Sequence, residues 1–276
     1  MSSVAIGNLK GGVGKSTVTV NLAVALVSAL RKKKARARVR IIDMDPQAWA
    51  TAWTTGREPR DIKATVATML AGLTSPEQTV LRLEELDWMT PDVREAWKGI
   101  DLVPSNPDAK MTVQGASDYW GLRETLEDPD FPNKDVAWTL FDCPYGQTDS
   151  FFLAVVAADH VLGVTSASEA GMLGLKEMRL QLTRMTKSFP HVGDVFGVVA
   201  NDFDLRKGPD KAILSDLREQ LGRKLWEPML PSRVAVERAN GARLPLAAMP
   251  DEGSREMTGL YSQLAKNLIA MEAKKR

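Results

Sequence analysis

One cysteine, Cys143, stands in a chain of 276 residues, so no internal disulfide can form and no four-cysteine metal site can be built from one copy. Histidine is almost as scarce, with only His160 and His191, which excludes a histidine-rich metal centre. Net charge is also missing: 36 basic against 35 acidic side chains leave +1, too little for bulk attraction to a polyanion. No stretch of about 18 apolar residues occurs, and no signal-type segment precedes the first apolar run. A cytoplasmic protein is expected. The 44% apolar and 26% charged content is that of an ordinary globular chain.

What is present is an alternation of apolar runs with helical patterns, which predicts an α/β fold with a mostly parallel twisted sheet flanked by helices. Strands are expected near Val4–Ile6, Val39–Ile42, Leu102–Val103, Ala137–Phe141, His160–Thr165 and Val195–Ala200. Helical spacing marks Thr17–Leu30, Gly171–Lys187, Pro209–Leu221 and about Arg255–Glu272. Residues 51–99 hold Trp53, Trp88 and Trp97, with Trp49 just ahead. They show no clean strand and read as a helical, Trp-rich insert, its tryptophans serving as packing or as a partner surface. Glu127–Lys134 reads as a turn-rich loop. No repeat or low-complexity linker divides the chain, so a single domain over 1–276 is expected.

The chemistry concentrates early. Directly after Val4-Ala5-Ile6 comes Lys10-Gly11-Gly12-Val13-Gly14-Lys15-Ser16-Thr17, followed by a helical pattern. A strand, a glycine-rich turn ending in Gly-Lys-Ser and a helix form a phosphate-binding loop. Glycines let successive backbone N–H groups curl around phosphate oxygens, and the helix turns its positive end to the same anion. Lys15 supplies a cation for the outer phosphates, and the Ser16 hydroxyl is placed to ligate Mg²⁺. Two further strands end in carboxylates. Ile41-Ile42-Asp43-Met44-Asp45-Pro46 puts Asp43 and Asp45 at the carboxyl edge of the sheet, where open α/β folds bind ligands; alternatively Asp45-Pro46 only begins a turn. Thr139-Leu140-Phe141-Asp142 ends in the same way. Cys143 has no histidine near it in sequence and reads as buried packing rather than a nucleophile.

Lys10-Gly-Gly-Val-Gly-Lys15-Ser-Thr resembles the deviant Walker A loop of the ParA/MinD group of P-loop ATPases, and Asp43-Met-Asp45-Pro-Gln47 resembles their Asp-x-Asp-Pro-Gln element. The resemblance spans nearly the whole chain apart from the Trp-rich insert. It implies a P-loop NTPase fold and an ATP-sandwich homodimer, with ATP and Mg²⁺ as cofactors. Lys10 then reaches the partner's nucleotide; read alone, it is an ordinary surface charge. Gly11 to Thr17 hold the phosphates, Asp45 orients or activates the attacking water, Asp43 lies near the Mg²⁺ shell, and Asp142 holds the ion through a water opposite Ser16. Where the family has Asp-Cys-Pro-Pro, this chain has Asp142-Cys143-Pro144-Tyr145. Asn201 ends a strand with an amide that suits an adenine edge, or equally a cap. Leu230-Pro231-Ser232-Arg233-Val234 resembles the family's adenine-flanking segment, with the arginine displaced by one position, so Pro231 and Arg233 are nucleotide-contact candidates.

The same resemblance implies non-specific DNA as partner, ATPase activity that is weak alone, and a ParB-like protein that stimulates it, in DNA partitioning of a plasmid or chromosome. Candidate DNA contacts are Arg233, Arg238 and Arg243, with Lys34 and Arg36 from the basic run Arg31–Arg40 and the terminal Lys274-Lys275-Arg276. Such a run can also simply complement a helix C-terminus. An ATP-bound form would associate with the nucleoid. The alternative is a MinD-like or cargo-positioning ATPase acting on membrane or a protein assembly, but the short, alanine-rich end carrying Glu272 argues against membrane binding. An iron–sulfur reductase sharing this loop needs two cysteines per subunit, and only one is available. A nucleotide-gated binding module with little hydrolysis is a further reading, and the start at Met1 leaves no room for a preceding helix-turn-helix.

Overall fold

The computed structural model describes residues 1–273. Its strands are β1 (Ser2–Gly7), β2 (Arg38–Asp43), β3 (Leu81–Arg82), β4 (Ile100–Val103), β5 (Val136–Asp142), β6 (His160–Thr165), β7 (Gly197–Phe203) and β8 (Leu225–Pro231). The helices are α1 (Lys15–Arg31), α2 (Trp49–Thr55), α3 (Val66–Leu70), α4 (Pro76–Thr79), α5 (Pro91–Ala96), α6 (Gly121–Glu127), α7 (Asp149–Ala157), α8 (Glu169–Met185), α9 (Gly208–Leu221), α10 (Val234–Gly241) and α11 (Glu252–Ala273). Among the described residues the strands form one eight-stranded sheet in the order β3-β4-β2-β5-β1-β6-β7-β8. Every pairing is parallel except β3 with β4.

β1, β2 and β6 are buried along their whole length, as expected of parallel strands covered on both faces. Alternate residues feed two cores. Val4, Ile6, Val39 and Ile41 face α1 and α11, packing with Leu22, Leu26, Leu264 and Leu268. Ala5, Ile42 and Phe141 face α7, α8 and α9, meeting Phe151, Leu175, Met178 and Leu217. β1 lies between β5 and β6, so the chain leaves the middle of the sheet and enters α1 at its carboxyl edge. That edge is where the glycine turn falls.

The expected strands are all present, with the one expected from Val195 pairing from Gly197 to Phe203 instead. Two strands were not expected. β3 is only two residues long and antiparallel, inside the Trp-rich stretch. β8 is a half-exposed edge strand containing Pro228, which lacks a ladder donor and blurs the apolar pattern.

The Trp-rich stretch divides by depth. Trp53 and Trp97 are buried, and their indole N–H groups donate to the neighbouring carbonyls of Leu244 (2.9 Å) and Arg243 (3.2 Å). Trp49 and Trp88 are exposed; Trp88 stacks under the Arg57 guanidinium at 3.8 Å and donates to the Thr55 carbonyl.

The basic run Arg31–Arg40 is likewise not one surface. Lys32 to Arg36 are exposed, but Arg38 and Arg40 lie inside β2. Arg38 bonds Glu84 and Asp101, whereas Arg40 bonds Asn133 and the Pro132 carbonyl and covers the Phe131 ring. No described helix is long and apolar enough to cross a membrane. Lys274, Lys275 and Arg276 lie outside the described residues.

Candidate functional site

Between β1 and α1 the chain makes a tight turn that only glycine tolerates at two points. Gly12 has φ +77° and Gly14 has φ +90°, in the left-handed region where a Cβ is strained. Gly14 is constrained a second time, because a Cβ there would lie 2.1 Å from Asn201 Nδ2. Asn201, inside β7 two residues before its end, is therefore packed directly on the turn and donates to the Val13 carbonyl at 3.0 Å. α1 has no side-chain N-cap and no acidic residue in its first turn. Its first amides, which lack intrahelical partners, and its positive end are thus directed at the hollow of the turn, an arrangement that binds anions.

That hollow is the floor of a cleft of about 450 Å³. Gly11, Gly12, Gly14, Lys15, Ser16 and Thr17 form the floor, and Asp45, Gln47, Trp49, Trp53, Tyr145 and Asn240 complete the walls. Lys15 is buried, with its ammonium donating to the Lys10 carbonyl at 3.1 Å. Burial lowers its pKa, while the charges of Asp142 and Asp45 act to raise it. Lys10 itself is exposed, its backbone N–H donating to Asn8 Oδ1 at 2.8 Å.

Asp43 and Asp142 are register partners at the adjacent ends of β2 and β5, and both are fully buried. Asp43 is saturated by its own segment: Oδ2 accepts from the Thr51 amide and hydroxyl, both at 2.8 Å, and Oδ1 accepts from the Asp45 amide at 3.1 Å. It anchors the segment that carries Asp45. Asp142 Oδ1 accepts from the Thr19 hydroxyl at 3.1 Å, but Oδ2 is buried with no hydrogen-bond partner. Burial, reinforced by the Asp45 charge, raises Asp142 to about 7 against the lowering effects of Ser16, Lys15 and Thr19. Burial and then the Asp142 charge raise Asp43 as well. Paired buried carboxylates with a free oxygen beside Ser16 suit a hard cation, which favours the ionised form. Among the described residues no group of three His, Cys, Asp or Glu side chains is placed to hold a metal, so an ion here needs phosphate oxygens and water to complete its shell. Asp45 is nearly buried in the cleft wall and accepts from the Gln47 amide at 2.9 Å; burial raises its pKa too. Cys143 is buried in the core and its thiol pKa is raised by that burial.

The remaining candidates are more scattered. Pro231 ends β8 opposite Phe203. The Arg233 guanidinium is held by Glu256 through bonds of 3.0 and 2.8 Å, beside a second opening of about 490 Å³ that Pro231 also lines. Arg238 and Arg243 are exposed on and just after α10. Lys34 pairs with Asp135 at 3.3 Å, and Arg36 is exposed. Sequence reasoning missed Asn8, Trp49, Tyr145 and Asn240. Tyr145 was visible as a departure from a motif, and its ring lies 3.7 Å from where a Gly11 Cβ would be. Asn8 carried no such signal, since its partners are 156 and 163 residues away in sequence.

Comparison with known proteins gives a consistent result. Residues 4–246 match the CobQ/CobB/MinD/ParA nucleotide binding domain. The chain is similar to the chromosome partitioning protein ParA of Caulobacter vibrioides, 27% identical over 276 residues, covering 98% of this chain and 94% of that one. Among solved structures it is similar to cobyrinic acid a,c-diamide synthase of Mycobacterium smegmatis with bound ADP and magnesium, with a TM-score of 0.74, 21% identity, and 100% and 97% of the two chains covered. It is equally similar in fold to the ATP complex of a single-residue variant of McdA from Cyanothece, with a TM-score of 0.74, 18% identity, and 98% and 96% covered.

Proposed function

The chain belongs to the CobQ/CobB/MinD/ParA nucleotide-binding family, and from that footing we propose that it is an ATP-hydrolysing switch for DNA partitioning. The observation that carries this reading is the glycine turn under α1, with Lys15 buried beside it and the buried carboxylate of Asp142, one oxygen unpartnered, close enough to Ser16, Asp45 and Lys15 for each to shift its pKa. Its donor set fits a nucleoside triphosphate with Mg²⁺: backbone amides for phosphate oxygens, one ammonium, one hydroxyl and one buried carboxylate. Bound Mg²⁺ supplies charge neutralisation at the outer phosphates.

Each residue then has a distinct task. Gly11 to Thr17 wrap the phosphates, Lys15 neutralises the outer ones, and Ser16 with Asp142 holds the ion. Asp45 positions and deprotonates the attacking water, a task suited to a carboxylate in the cleft wall. Asp43 keeps the Asp45 segment in place through Thr51. Lys10 is exposed beside the cleft, so it serves the nucleotide of a second copy, and the ATP-bound state is a homodimer. Asn201 and Pro231 flank the base. Exposed arginines around α10 give the dimer a non-specific DNA surface, with Lys34 and Arg36 as further contacts. A ParB-like protein then stimulates hydrolysis and ends the DNA-bound state, and the ATP form resides on the nucleoid.

Nucleotide titration tests the base of this reading. Lys15→Ala abolishes ATP binding in the proposed scheme, while Asp45→Ala retains binding and loses turnover. Tight ATP binding by Lys15→Ala contradicts it. DNA affinity is expected only with ATP and to fall steeply between low and moderate salt; salt-insensitive binding contradicts the DNA part alone.

A further inference from the structure

Asn8 is fully buried between the end of β1 and the glycine turn, and its side chain bonds two other elements as well as its own turn. Nδ2 donates to the Val164 carbonyl of β6 at 2.7 Å and to the Gly171 carbonyl of α8 at 3.0 Å. Oδ1 accepts from the Lys10 backbone N–H at 2.8 Å. A carboxamide alone among the side chains of this size can donate twice and accept once in this way. The Lys10 carbonyl is held from the other side by Lys15 Nζ, and the preceding Leu9 carbonyl accepts from the Gly146 amide at 2.9 Å. The main chain of Lys10 is therefore fixed on both sides while its side chain is exposed.

α8 is fitted against the same point. A Cβ on Gly174 would lie 2.2 Å from Asn8 Oδ1, 2.7 Å from Lys10 Cβ and 2.8 Å from Lys10 N. Glycine inside a helix is unfavourable relative to alanine, so its use here has a packing reason: it lets α8 approach the Lys10 backbone. We propose that Asn8, with Gly174 as its steric counterpart, is a positioning residue that sets the direction of the Lys10 ammonium toward a second copy of the chain and ties that direction to α8. This rests on the trans role of Lys10 given above, and it goes further by naming what aims the lysine.

The test separates aiming from mere bracing. Dimerisation of the full chain with a non-hydrolysable ATP analogue is measured by sedimentation equilibrium. Affinity for fluorescent ADP is measured separately at concentrations where the chain is monomeric. Asn8→Ala is expected to weaken the dimer about tenfold or more and to change ADP affinity less than about threefold. In a Lys10→Ala background it is expected to add almost nothing, because residues acting through one contact are non-additive. Gly174→Ala is expected to weaken the dimer in the same selective way although it removes no hydrogen-bonding group and improves helix propensity. Equal losses from Asn8→Ala with and without Lys10 would overturn the proposal and leave Asn8 a brace. So would wild-type dimerisation of Asn8→Ala while Lys10→Ala fails to dimerise. Should Asn8→Ala not fold, Gly174→Ala in both backgrounds carries the test, and its wild-type dimerisation overturns the proposal. Wild-type dimerisation by Lys10→Ala instead removes the trans role itself.

Discussion

Arg38 and Arg40 lie two residues apart on β2, are both buried, and have opposite electrostatic surroundings. Arg38 meets two carboxylates, Glu84 and Asp101. Among the described residues Arg40 has none in contact, its Nε is unpartnered, and burial lowers its pKa to about 10. Removing one member of a buried ion pair leaves the others desolvated and uncompensated, so Arg38→Met is expected to cost about 3–5 kcal/mol. Arg40→Met trades a poorly satisfied cation for apolar volume and is expected to stay within about 1 kcal/mol of the parent. Urea unfolding of both variants checks the contrast, and equal losses would contradict it. Nothing in the local sequence separates these two arginines, because their difference lies in residues 63 and 93 positions away. The glycine turn is the reverse case. Gly14→Ala adds left-handed strain of about 1–2 kcal/mol and a Cβ in contact with Asn201. Its expected result is loss of nucleotide binding with only a modest fall in Tm. That turn was readable from sequence because its glycines, lysine and serine are consecutive and their conformational requirement is local.

At the scale of elements, legibility followed burial. Strands covered on both faces are continuous apolar runs, and β1, β2, β5 and β6 were evident. β8 was not, since an edge strand with Glu227, Pro228 and half-exposed positions has neither periodicity nor a full set of donors. The Trp-rich stretch was opaque for a related reason: short helices of four to seven residues, from α2 to α5, give too little length for a period to show. What fixes the stretch is contact with the segment after α10, through Trp53 and Trp97. Trp97 is fully buried, so Trp97→Ala is expected to cost about 3–5 kcal/mol, measured by chemical denaturation. A much smaller cost would mean that the stretch is docked by other contacts. Asp194 joins α8 to the start of β8 by bonding Arg179 and Lys224. Burial acts to raise its pKa, but those two cations and the Val195 amide hold it well below the usual carboxylate range. A depressed native pKa stabilises the fold above the ordinary carboxylate pKa, and the contribution is lost as pH falls through the native value. Thermal melts of Asp194→Asn are therefore expected to show lower stability at pH 7 and a shallower decline below about pH 5. An unchanged pH profile would contradict this.

Parallel order brings the carboxyl ends of β1, β2 and β5 to one edge, so the cleft is lined by residues from Gly11 to Asn240 that are far apart in sequence. Parallel topology made that convergence foreseeable once the strands were known, because ligands of such sheets bind where the strand order reverses. The adjacent-in-space partners were not foreseeable, above all the Asn8 link to α8 and the meeting of Trp49 and Tyr145 in the lining of one cleft. In the proposed scheme ATP favours the dimer because the triphosphate binds two copies better than one. The most direct measurement is the solution mass by light scattering without nucleotide, with ADP, and with a non-hydrolysable ATP analogue plus Mg²⁺, for the parent and for Lys10→Ala. Doubling of mass is expected only for the parent with the ATP analogue. A parent that keeps one mass in all three conditions would contradict it.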